Sequence, residues 1–183
     1  MVKRMVRPRL AGIRRNLAPM QALMQANRLV EKGKLNEAGA EFARLADELE
    51  EARPRQAANL HAAAAYAFVG AGAAEQALQH AVQALQMFQQ YRMLQRFPVF
   101  FANITREMQD HGMHAAAQQL EDEFGMHAQQ ARPDAAAKVD TNRHTLPVVC
   151  PHCGGAVRSD EVQWVDAVSA ECIYCSSIIQ AVM

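Results

Sequence analysis

Charge of neither sign prevails in this chain. Nineteen Lys and Arg balance nineteen Asp and Glu over 183 residues, so the formal net charge is zero. Bulk electrostatics therefore names no partner. Aromatic residues are scarce, at 6%, and Trp164 is the one tryptophan. No apolar run is long enough for a transmembrane helix. The longest, Ala62 to Ala74, is alanine-rich and broken by glycine. The N-terminus lacks the apolar segment of a secretory signal, so none is expected. Phosphate-cradling glycine loops, a nucleophile-elbow serine and paired carboxylates in a catalytic setting are missing too. No residue set proposes a reaction, and the chain is read as a non-enzyme with no catalytic residues.

Cysteine is scarce as well, and its placement is informative. The four cysteines are Cys150, Cys153, Cys172 and Cys175, which fall as C-x2-C, eighteen residues, C-x2-C. Each pair lets one tight turn point two sulfurs at one ion, a strong pattern for a four-thiolate metal site. Such a site is closed. It has no open position for water, so one structural Zn2+ is the expected cofactor. A rubredoxin-type iron electron carrier is the alternative, since tetrahedral thiolate suits both metals. Dithiol redox chemistry is disfavoured, because it calls for one C-x2-C near a βαβ pattern. Residues 147–183 are too few to fold on a core alone, so metal binding supplies their folding energy. Reduced thiolates suit a cytoplasmic location.

This tail resembles a zinc ribbon. The residues that carry the likeness are Cys150-Pro151-His152-Cys153-Gly154-Gly155, the strand-like Val162-Gln163-Trp164-Val165, and Cys172-Ile173-Tyr174-Cys175. The resemblance implies two knuckles at one end of a three-stranded β sheet. Gly154 fits the first knuckle, where the chain takes a positive φ. The second knuckle departs, with Ile173 where proline is common and Ser176 where glycine is common. His152 is read as solvated, since four thiolates already complete the site. Trp164 is read as the core anchor of the small sheet.

The rest of the chain reads as helix. Alanine, leucine, glutamine and glutamate dominate. Gly33, Gly70 with Gly72, Gly112 and Gly125 stand where helices should stop. Pro54 and Pro98 stand where they should start. Leu35, Ala38, Phe42, Leu45 and Leu49 keep a helical rhythm, as do Leu78, Val82, Leu85 and Phe88. A longer period is also present. Gly33 is followed by Ala38, Phe42 and Leu45. Gly72 is followed by Ala77, Ala81 and Ala84, and Gly112 by Ala117, Glu121 and Phe124, at the same offsets. Ala26 and Leu29, Ala65 and Phe68, Thr105 and Met108 precede the three glycines in register.

These segments resemble the tetratricopeptide repeat, most clearly from Ala65 through Ala77 to Ala84. The fold class expected is mainly α: an antiparallel array of three helical pairs, followed by the ribbon. The glycines are 39 and 40 residues apart, against about 34 in that family. The extra residues fall at 48–53 and 89–95, which predicts longer second helices. The resemblance implies a groove lined by first helices. Its lining would be Leu23, Asn27, Val30, Asn59, Ala62, Tyr66, Val69, Val99, Ala102 and Arg106. A carboxylate clamp carried onto Leu23, Asn27, Ala63, Val99 and Asn103 matches at Asn27 alone, so apolar and amide contacts are expected instead. His111 and His114 flank Gly112 and are read as turn histidines.

Two segments complete the reading. Residues 1–16 form a basic arm, with Lys3, Arg4, Arg7, Arg9, Arg14 and Arg15 and no acid. Residues 17–127 are the repeats, 128–146 a linker and 147–183 the ribbon. The ribbon holds one basic residue, Arg158, against Asp160, Glu161, Asp166 and Glu171. Phosphate binding requires cationic contacts, so a nucleic acid would have to meet the arm. The expected function is that of a zinc-binding adaptor for a protein or peptide partner, with nucleic-acid association the alternative.

Overall fold

The structure is a computed structural model that describes residues 11–130 and 145–182, with side chains from Pro19 in the first helix. Six helices follow one another: α1 (Ala11–Glu31), α2 (Leu35–Leu49), α3 (Pro54–Gly70), α4 (Ala74–Gln90), α5 (Arg96–Asp110) and α6 (His114–Gln130). A small sheet then forms from β1 (Gln163–Trp164), β2 (Ser169–Glu171) and β3 (Ile178–Gln180). Its order is β1-β2-β3, and both pairings are antiparallel. Mainly helical architecture with a three-stranded C-terminal sheet is thus as expected. No helix among the described residues is long and apolar enough to cross a membrane.

Local chemistry sets the helix ends. Pro54 occupies the first turn of α3, where its missing N–H costs nothing. Gly33, Gly72 and Gly112 all take positive φ, from 71° to 78°. Each N–H bonds three residues back, and the next N–H reaches five back, as Lys34 N to Leu29 O at 2.9 Å. This left-handed cap satisfies carbonyls the helix would leave bare. Arg92 makes the same cap after α4 without glycine, at φ 52°. Gly125 ends nothing, because α6 runs through it to Gln130. Nor are the second helices uniformly longer. α2 has 15 residues against 21 in α1, and α4 has 17, as α3 does. The extra residues at 91–95 form a turn instead.

Sequential helices pack on one another, and α3 also meets α5 while α4 meets α6. α3 is the most enclosed. Ala57, Ala58, Ala62, Ala63, Ala64, Ala65 and Ala67 are all buried on it, and a helix apolar all round belongs in an interior. Small residues let neighbours approach. A Cβ at Gly39 would stand 2.9 Å from the Phe68 ring, so α2 and α3 cross closely there. Large side chains fill the edges, with Phe88 and Phe100 fully buried and packed edge to face at 5.6 Å. Ala38, Phe42, Leu45, Ala77, Ala81, Ala84, Ala117 and Phe124 are buried as the common register predicts. Glu121 is exposed, and Leu120 takes the interior place beside it.

Candidate metal centre

Two short turns bring the four sulfurs together. In the first, Cys150 N–H donates to Gly155 O at 2.8 Å and Gly154 N–H to Cys150 O at 2.9 Å. In the second, Cys172 N–H donates to Ser177 O and Ser176 N–H to Cys172 O, both at 2.9 Å. The two turns therefore share one hydrogen-bond pattern. They also share one backbone device, a positive φ of 75° at Gly154 and 57° at Ser176. Serine thus accepts the conformation that glycine holds in the first turn.

The four Sγ atoms lie within 4.8 Å of one another. Cys150 Sγ is 3.8 Å from Cys175 Sγ, and Cys153 Sγ is 3.8 Å from Cys172 Sγ. These are not disulfide lengths. A tetrahedron with metal–sulfur bonds near 2.3 Å has an edge of about 3.8 Å, so the donor set fits a tetrahedral thiophilic cation. Burial of Cys150, Cys153 and Cys172 keeps water from the group. The thiols act on one another strongly. Contacts with Cys172 and then Cys175 push Cys153 upward, while contacts with Cys153 and then Cys172 pull Cys175 down.

Around the sulfurs, Leu146, Val162, Ala170 and Ile179 form the local core. Trp164 packs against this core from its edge and is not fully enclosed. The ring is half-buried at the edge and donates Nε1–H to Ser159 O at 3.2 Å. His152, His111 and His114 are exposed, as their reading as solvated residues expects.

The cysteine module is seated against the helices, mainly through α1, α3 and α5. Asn27 of α1 donates Nδ2–H to Cys153 O at 2.8 Å. Gln56 of α3 donates to Tyr174 O at 2.6 Å. The Tyr174 ring stacks on Phe42 of α2, with centroids 6.2 Å apart. Glu161 is the hub of the contact and is 2% exposed. It accepts from the Tyr66 hydroxyl at 3.0 Å, from Asn103 at 3.2 Å and from Arg158 at 3.3 Å. Arg96 Nη1 meets both its carboxylate and its backbone carbonyl. Arg158 also lies over the Tyr66 ring at 4.8 Å. Burial, and then the Glu161 charge, push the Tyr66 hydroxyl well above its usual range.

The groove residues fall into two groups. Asn27 and Tyr66 bind the module itself, whereas Leu23, Ala62 and Val69 are buried. Asn59 and Val99 are half-buried, and Val30, Ala102 and Arg106 are exposed. The side of the helices expected to take a peptide thus carries a folded segment of the same chain. Arg96 and Glu161 escaped sequence reasoning. Glu161 sits in an acidic run that reads as wet surface, and nothing local marks its partner 65 residues away. Lys3, Arg4, Arg7 and Arg9 lie outside the described residues, and α1 begins at Ala11, inside the expected arm.

No protein-family model, no curated protein and no solved structure matches this chain.

Proposed function

We propose that this chain is a non-enzymatic adaptor: three tetratricopeptide-like helical pairs joined to a ribbon that a structural zinc ion holds together. The carrying observation is the seat of the cysteine module on α1, α3 and α5 through Asn27, Gln56, Tyr66, Arg96 and Asn103. A closed thiolate set that also organises an interface of this kind is a structural element, since it leaves no coordination position for a reactant.

The partner is a protein, met on the outer surface of the ribbon. Of nine large exposed hydrophobic side chains among the described residues, six belong to the module: Val148, Val149, Val165, Val168, Ile178 and Val182. This share of the exposed apolar side chains on one small unit supports the ribbon as the contact element. The test is in-cell crosslinking of the full chain against a V165D/I178D variant. Metal content and helical circular dichroism should be equal in the two. Proteins crosslinked to wild type and lost from the variant support the reading. An identical set from both, or a coloured redox-active iron in place of zinc, overturns it.

A further inference from the structure

A second group of potential ligands lies on the helices. Asp47 and Glu50 stand one turn apart at the C-terminal end of α2, and His61 comes from the adjoining α3. One ligand atom from each lies within 4.8 Å of the others. We propose that Asp47, Glu50 and His61 form a binding site for a divalent transition-metal cation, zinc, cobalt or nickel in type, separate from the four cysteines.

The buried histidine carries the argument. His61 is 1% exposed, on a helix otherwise sealed by alanines. Its Nε2 faces Asp47 Oδ1 at 3.9 Å, too far for a hydrogen bond. A protonated His61 paired with that carboxylate would be the ordinary explanation. Burial opposes it and, with the neighbouring His80, brings the ring down to about 4. A neutral imidazole with a free ring nitrogen is the form that binds a metal.

The other ring nitrogen is already held. His61 Nδ1 lies 3.2 Å from His80 Nδ1, and the two rings stack with centroids 5.3 Å apart. Phe68 also stacks on His80, at 5.5 Å. With the shared hydrogen on His61 Nδ1, its Nε2 turns a bare lone pair toward two carboxylates. Three acceptors then converge, a donor set that a cation can complete. A hydrogen bond from the far ring nitrogen is how metal-binding histidines are usually oriented.

The surroundings favour positive charge. Asp47, Glu48, Glu50, Glu51 and Tyr91 line an open cavity of about 520 Å³. The bare carbonyls at a helix C-terminus add partial negative charge at the same place. One imidazole with two carboxylates selects borderline transition metals over magnesium or calcium, which prefer all-oxygen sets. Three protein ligands leave positions for water, unlike the cysteine site.

Cobalt(II) titration of the full chain, with its cysteine site already filled by zinc, tests the assignment. Calorimetry should show one further equivalent of cobalt. Its visible spectrum should be weak and lack thiolate-to-cobalt charge transfer. D47N/E50Q, which alters exposed side chains, should weaken this binding at least about 100-fold, and H61Q similarly. His80→Gln, a change to a positioning residue, should weaken it about tenfold. The proposal is overturned if no second equivalent saturates, or if D47N/E50Q leaves it intact. Zinc retention in each protein reports the cysteine site independently.

Discussion

The Tyr66 hydroxyl and the Glu161 carboxylate meet at 3.0 Å across 95 residues of sequence. One belongs to the most enclosed helix and the other to the cysteine module. With Arg96 beside them, they place a neutralised charge network where two folding units touch. A buried pair stripped of one member leaves an uncompensated charge, which costs about 3–5 kcal/mol. Glu161→Gln should therefore destabilise the chain by that amount in urea unfolding, because Arg96 loses its counter-ion. Tyr66→Phe removes one hydrogen bond to a charged group and should cost about 1.5–3 kcal/mol. Equal stability of E161Q and wild type would show that the network is not closed in solution.

Metal removal should be felt beyond the cysteines. Because Asn27, Gln56 and Tyr66 bind the module, its loss uncovers polar groups on α1 and α3. Chelation should retain most helical signal yet lower the helical melting temperature by at least about 5 °C, equivalent to about 2 kcal/mol in a chain of this size. Serine replacement of Cys150 and Cys153 should do the same without chelator. An unchanged melt after verified metal loss would argue for two independent units.

The two metal turns make opposite predictions for their small residues. A Cβ on Gly155 would come within 2.8 Å of Tyr174 Cε2. Gly155→Ala should displace that ring from Phe42 and weaken metal retention, read as faster zinc transfer to a chromophoric chelator. Ser176→Gly should act the other way. A non-glycine residue in the left-handed region costs about 1–2 kcal/mol, and glycine removes that strain at φ 57°. The gain, about 0.5–1 kcal/mol after glycine's greater unfolded entropy, should appear as slower zinc transfer.

Acid should weaken the helices through His61. Its folded pKa, about 4, lies below the ordinary 6.5, and burial is the main cause. Between those values the unfolded chain binds the proton and the folded chain does not. Stability is therefore complete above about pH 7 and falls as pH drops toward 4, by on the order of 2–3 kcal/mol. His80 is lowered too, again mainly by burial, and acts in the same direction. Urea midpoints of wild type and H61Q should converge as pH falls from 7.5 to 5. A constant gap would mean that His61 is not the group that titrates.

Short-range chemistry explains what could be read in advance. The cysteine spacing foretold a four-sulfur cluster, because each tight turn fixes two sulfurs almost without help from the rest of the chain. Gly33, Gly72 and Gly112 foretold helix ends, because the left-handed cap strongly favours a residue without Cβ. The same rule misread Gly125, since glycine permits a stop without requiring one, and it missed Arg92, whose cap is held by two hydrogen bonds. Trp164 joins the core as its size suggests, but only from the edge, since its ring stays half-buried. The seat of the module was not legible at all. It rests on pairs such as Asn27 with Cys153 and Arg96 with Glu161, and composition gives no sign that these side chains meet.

The order of synthesis gives the seat a further meaning. The helices precede the cysteines along the chain, and domains generally form as they leave the ribosome. α1, α3 and α5 thus exist for a time with Asn27, Gln56 and Tyr66 facing water, before the residues that cover them have been made. On the proposed structural-zinc reading, closure waits on a metal ion as well as on translation. A freshly made molecule and a metal-loaded one would then differ in which surface they display, so a chaperone or protease that reads surfaces could sort finished chains from unfinished ones by metal status alone.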